Sequence, residues 1–206
     1  MAFDTNAQLR GIVGDGMANV ILTDELHRVS DHFYSTHRGR AFTVLRHPFA
    51  RELSKYKYLR STDAVSEGMT FLEYIKSGED GTTPFERHDN LVRVLTNEPM
   101  KPLTTNHIDA AKEVVRRKLI VGFMDNLDEL FQRFARYFGW PLDGVHMDCM
   151  RNWQRHANHI LPGSLEVEAL RQTQWADLEL YEYALSIFEE QSVLIEDSQA
   201  LRTKAA

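Results

Sequence analysis

The chain is short of cysteine, of long apolar runs, of net positive charge and, toward its amino end, of lysine. Each shortage excludes something. The single cysteine, Cys149, rules out a disulfide within the chain and any zinc site built from several thiolates. The longest uncharged apolar run, Leu119 to Met124, falls far short of the ~20 residues that span a membrane as a helix. Residues 1–19 lack the basic start and apolar stretch of a signal peptide. Lys and Arg number 24 against 30 Asp and Glu, a net charge of −6, which disfavours nucleic acid or an anionic membrane as a partner for the whole chain. The six prolines are scattered, and neither a repeat nor a low-complexity tract is present.

What remains is an ordinary folded composition: 206 residues, 43% hydrophobic and 26% charged, enough for one domain. Three short β-rich runs stand out, Val20–Leu22, Ala41–Leu45 and Leu119–Phe123. None alternates cleanly, which fits strands buried on both faces of a parallel sheet. Helical patterns fill the gaps. Asp24–Phe33 carries Leu26, Val29 and Phe33 on one stripe. Pro48 opens a helix reaching Tyr58, and Thr104 or Thr105 caps one reaching Arg117. Asn126 and Glu129 form a capping box ahead of Phe131, Phe134 and Phe138, with Gly139 as the stop. A last long helix is predicted from Trp175 to Ile195, with Leu178, Tyr181, Leu185 and Phe188 on one face. Strands separated by helices predict an α/β layer fold, residues 1–196 forming one domain and 197–206 a flexible tail.

Charge is uneven. Between Arg38 and Arg60 seven Lys and Arg face one acid, Glu52, in an otherwise acidic chain. That excess centres on Arg46-His-Pro-Phe-Ala-Arg51-Glu-Leu-Ser54, directly after an apolar strand. A carboxyl strand end is where α/β folds hold ligands, and the next helix aims its first amides at the same space. Arginine is a flat, permanently charged fork suited to phosphate oxygens. On a helix from Pro48, His47, Arg51, Ser54 and Tyr58 share a stripe and can face one ligand, with Phe49 and Leu53 nearer the core. A solvated basic helix face is the equal alternative on charge alone.

This segment resembles the 3′-phosphate-binding segment of sulfotransferases, Arg-x-Pro-x-x-Arg-x-x-Ser, at every fixed position. Asn90–Thr96, Ala111-Lys112, Arg117–Glu129, Tyr137–Trp140, Asp177–Ala184 and Phe188–Gln191 resemble that family's later blocks. The likeness covers about residues 18–192 and is strongest to the membrane-anchored carbohydrate branch that includes heparan sulfate 2-O-sulfotransferases. It implies a P-loop-like parallel sheet flanked by helices, incomplete at its amino end and helix-rich in its carboxyl half. It implies 3′-phosphoadenylyl sulfate as the donor, a carbohydrate hydroxyl as the acceptor, no metal, and the Golgi lumen as the setting. Arg46 and Ser54 carry over as the groups that grip the 3′-phosphate. Arg51 takes the second arginine position, or instead braces the helix through an acidic neighbour.

The family's 5′-phosphosulfate loop is not found. No lysine precedes Arg46, and Gly11-Ile-Val-Gly14-Asp-Gly16 lacks the Lys-Ser/Thr ending, so it reads as a turn. Losing three or four charge-assisted hydrogen bonds at roughly 1.5–3 kcal/mol each would weaken donor binding by about four to seven decades. The chain resembles a family member lacking its amino-terminal part, and is expected to be weakly active or inactive as it stands. A non-enzymatic interaction module derived from the same fold is the alternative.

The catalytic base is not assigned by the sequence; Glu25, His27, His32 and His37 are the candidates, each more simply a surface residue. His156-x-x-His159 lacks a third ligand and reads as a surface pair. Asn90 and Arg93 face the donor or make structural hydrogen bonds. Asp125 caps the following helix in preference to facing a cleft. Trp140 reads as a core anchor. The acidic stretch 61–89 is expected as a mobile flap beside the site.

Overall fold

The computed structural model describes residues 26–30, 40–77, 88–99, 102–140 and 165–204. In chain order these form α1 (Leu26–Ser30), β1 (Ala41–Leu45), α2 (Pro48–Ser61), α3 (Phe71–Ser77), α4 (Asn90–Thr96), α5 (Thr105–Lys118), β2 (Leu119–Phe123), a 3-10 turn (Met124–Asn126), α6 (Leu127–Phe138), α7 (Leu165–Thr173) and α8 (Trp175–Lys204). The described residues are mostly helical, around one small sheet.

Both five-residue apolar runs are strands, and they pair in parallel with Ala41 opposite Leu119 and Leu45 opposite Phe123. Side chains on β2 alternate between two layers, as the strand's period of two requires. Leu119, Val121 and Phe123 face the main core with Val92, Ile108, Ala111, Val115, Leu180, Ala184 and Phe188 of α4, α5 and α8. Ile120 and Phe42 face the other way, against Leu127, Leu130 and Phe134 of α6. Gly122 lies on that second face, where a Cβ would come within 2.6 Å of Leu130 Cδ1. The glycine is what lets α6 sit this close to the strand. A third apolar cluster joins Phe49, Tyr56 and Leu59 of α2 to Tyr74 and Ile75 of α3 and to Leu170 of α7.

The edge of β2 away from β1 is closed by a side chain. Gln191 on α8 accepts from the Val121 N–H at 3.0 Å and donates to the Leu119 carbonyl at 2.8 Å. Its amide takes the place of the N–H and C=O that one residue of a third parallel strand would supply, so these two buried backbone groups are satisfied by a side chain. Arg133, 6% exposed, fastens α6 to α8. Its guanidinium bonds Glu129, the Phe188 carbonyl and, at 2.6 Å, Ser192 Oγ, and it lies over the Phe188 ring.

Helix ends follow the sequence signals closely. Asn126 accepts from the Glu129 N–H at 3.4 Å, and Gly139 ends α6 at φ 76°. His107 reaches back to the Thr104 N–H at 3.0 Å to start α5. Three expectations differ. Leu185, expected on the buried face of α8, is 43% exposed, and Ala184 and Ile187 take the interior places. Helix α8 runs on to Lys204, past the start of the expected tail. Part of the expected flap is packed, since Tyr74 and Ile75 are 2% and 4% exposed. The run Val20–Leu22, Phe33, and the glycines at 11–16 lie outside the described residues.

Candidate functional site

The two parallel strands end side by side. Because Leu45 pairs with Phe123, Arg46-His47 leave β1 next to the point where Met124-Asp125 leave β2. Neighbouring strands lie ~4.8 Å apart, so groups on these two exits can reach one small ligand. Arg46 is half-buried at the exit of β1, and Ser54 is half-buried two turns into α2.

Between them sits His47, the N-cap of α2. Its Nδ1 accepts from the Phe49 N–H at 3.3 Å, so a neutral ring carries its hydrogen on Nε2. The ring meets Phe49 and Tyr181 edge-on, at centroid distances of 5.0 and 5.3 Å. Burial holds the His47 pKa below the usual histidine value, against the opposing fields of Asp125 and Glu182. Pro48 follows at the first helical position, where its missing N–H costs nothing.

Asp125 does not cap α6; Asn126 takes that role. The Asp125 carboxylate instead accepts from the Tyr181 hydroxyl at 3.3 Å. Tyr181 is 8% exposed, and burial together with Asp125 pushes its pKa up to about 12. It therefore stays a hydrogen-bond donor at all ordinary pH. The result is an exposed carboxylate with a fixed donor behind it, beside a neutral imidazole, at the carboxyl ends of both strands.

The predicted stripe on α2 is not shared by one ligand face. Arg51 turns inward, donating from Nη1 to Asp177 Oδ2 at 2.8 Å, from Nη2 to Gln174 Oε1 at 2.9 Å and to Glu52 Oε1 at 3.1 Å. Its acidic neighbours make it the brace that the sequence left as the second option. Tyr58 is 66% exposed. Arg93 donates to the His88 and Glu98 carbonyls at 2.8 and 3.2 Å, a structural role. His27 Nε2 meets the Leu95 carbonyl at 3.3 Å, which ties up that base candidate. Trp140 stacks on Phe138 at 4.7 Å, as an anchor. Glu25, His32, His37, His156 and His159 lie outside the described residues.

Sequence reasoning passed over Tyr181 and His47 as partners of Asp125. Their signal was positional: each follows or packs on a strand end, but none belongs to a spaced motif. Among the described residues no group of His, Cys, Asp and Glu side chains comes together to hold a metal ion. Nor is any helix there long and apolar enough to cross a membrane. A concavity lined by Glu52, Tyr74, His88, Leu170 and Gln174 among others includes neither Arg46 nor Asp125. No protein family, curated protein or solved structure matches this chain.

Proposed function

We propose that this chain is sulfotransferase-like: it binds 3′-phosphoadenylyl sulfate through Arg46 and Ser54 and directs a sulfuryl group to a carbohydrate hydroxyl. The observation that carries the reading is Arg46 at the carboxyl end of a parallel strand, entering a 14-residue helix that holds Ser54. An anion at that turn meets a guanidinium and the amino end of α2 together. In the proposed reaction the acceptor oxygen forms a bond to sulfur while the bridge from sulfur to the 5′-phosphate oxygen breaks. The electron pair leaves on that phosphate, and the hydroxyl proton passes to Asp125, the carboxylate held by Tyr181. Neutral His47 offers an N–H to the charge that shifts. The Golgi lumen and a carbohydrate acceptor belong to the same proposal. So does weak activity of the chain.

The test is calorimetric titration of adenosine 3′,5′-bisphosphate into the folded chain. Measurable binding that Arg46→Ala abolishes is expected; no binding, or binding indifferent to that change, removes the reading. A second reading, a non-enzymatic interaction module, draws support from Leu185 and Val193 of α8, exposed at 43% and 61%. It predicts self-association by gel filtration and indifference to the nucleotide.

A further inference from the structure

Three carboxylates are buried where α2, α4 and α8 meet. Glu52, Asp89 and Asp177 are 7%, 3% and 0% exposed. Asp177 and Glu52 share the Arg51 guanidinium. Asp89 is held differently. Its Oδ1 accepts from the N–H groups of Ala176 and Asp177, both at 2.9 Å, at the start of α8. Asp177 returns the contact: Oδ2 accepts from Leu91 N–H at 2.9 Å and Oδ1 from Val92 N–H at 2.8 Å, at the start of α4. Each helix is thus capped by an acid from the beginning of the other. This clasp joins α4 to α8, and Arg51 extends it to α2, whose first turn carries His47.

Two amides suit a carboxylate, yet this one lies deep and beside a second carboxylate whose own N–H it accepts. Among the described residues, the charged groups that act on Asp89 are Asp177 from α8 and Arg93 from α4, while Arg51 and Glu52 of α2 are joined to it through Asp177. Arg51 is engaged by the other two acids, and Arg93 directs its Nε and Nη1 at carbonyls. A charge so placed is disfavoured relative to the neutral acid.

We propose that Asp89 keeps a proton in the native fold and that losing it loosens the α4–α8 clasp, making it a pH-sensitive device. Burial first, and then the Asp177 charge, raise the Asp89 pKa to about 7; the two amides and Arg93 act in the opposite direction. An acid whose native pKa lies above its unfolded value binds more protons folded than unfolded. Stability therefore falls as pH rises between the unfolded value of about 4 and 7. The inference stands apart from the donor-binding reading.

The experiment compares melting of the full chain and its Asp89→Asn variant at pH 5.5 and 8.0. Asparagine is neutral, keeps a carbonyl oxygen for the two amides, and tolerates the left-handed backbone at φ 55°. His88 and the other titrating groups are common to both proteins. The wild type is expected to lose about 4–8 °C more than the variant between the two pH values. Protection of the Ala176 and Asp177 amides, with the base-catalysed intrinsic rate divided out, should fall at pH 8.0 in the wild type only. Parallel melting curves, or an equal loss in the variant at both pH values, would overturn the proposal. Should the variant not fold, NMR titration of the wild-type Asp89 carboxyl decides: a midpoint near neutral supports the device, and one below pH 5 refutes it.

Discussion

Replacing Asp177 by alanine tests the clasp from its most buried side. The side chain is 0% exposed and accepts three hydrogen bonds, from Arg51 Nη1 at 2.8 Å, Leu91 N–H at 2.9 Å and Val92 N–H at 2.8 Å. Alanine leaves two amides without acceptors, at roughly 1–3 kcal/mol each. It also breaks a buried ion pair from one side, which costs ~3–5 kcal/mol when the remaining charge is stranded. Arg51 keeps Glu52 and Gln174 and its side chain is 28% exposed, so its share falls at the low end. These contributions overlap, and the net expectation is a loss of about 4–6 kcal/mol. Set against a typical domain stability of ~5–15 kcal/mol, that removes about a quarter or more of what holds the chain folded. The assay is urea unfolding of wild type, Asp177→Ala, Arg51→Met and the double variant. The two single losses should be coupled by at least ~1.5 kcal/mol, since the residues share one bond and one network. A loss under ~1 kcal/mol for Asp177→Ala, or strict additivity, would mean that Asp177 does not hold these amides and Arg51 in one network.

Two further expectations follow from the edge of β2 and from its carboxyl end. Gln191→Leu keeps the volume but leaves the buried Val121 N–H and Leu119 carbonyl unsatisfied; a loss of about 2–5 kcal/mol in denaturant unfolding is expected, and a change within ~0.5 kcal/mol would mean the side chain does not close the edge. Asp125→Asn still accepts from Tyr181 but cannot take a proton. Transfer from radiolabelled donor to pooled sugars should drop roughly 10²–10⁴-fold while bisphosphate affinity holds, and unchanged transfer would remove Asp125 as the base.

The parts of the fold legible in the sequence were those fixed by neighbours in the chain. Ala41–Leu45 and Leu119–Phe123 are apolar runs too short for helices, and both are strands. Asn126 with Glu129, Gly139 and Pro48 mark helix ends by local chemistry, and the structure places the ends there. Contacts across the chain were not legible. Asp89 and Asp177 each stand at a helix start, a readable signal, but nothing local says that each caps the other's helix some 85–88 positions away. The spacing of Arg51 with Ser54 and Tyr58 names a stripe without saying which way it faces; Asp177 and Gln174 decide that for Arg51. Gln191 is a polar residue on an apolar helix face, and its purpose appears only once the strand edge beside it is seen. At the candidate site, Arg46 was legible as a charge at a strand exit. Asp125 was misassigned to capping because Asn126, one residue on, competes for the same amides and wins.

Paired calorimetry of adenosine 3′,5′-bisphosphate and adenosine 5′-monophosphate on wild type and Arg46→Ala tests most directly whether Arg46 recognises a phosphate on the ribose of a nucleotide. A charge-assisted contact of roughly 1.5–3 kcal/mol corresponds to about a 10- to 150-fold preference for the bisphosphate in the wild type. That preference is expected in the wild type and should disappear in Arg46→Ala; equal affinities for the two nucleotides in the wild type, or a preference that survives the substitution, would mean that Arg46 does not read the ribose phosphate.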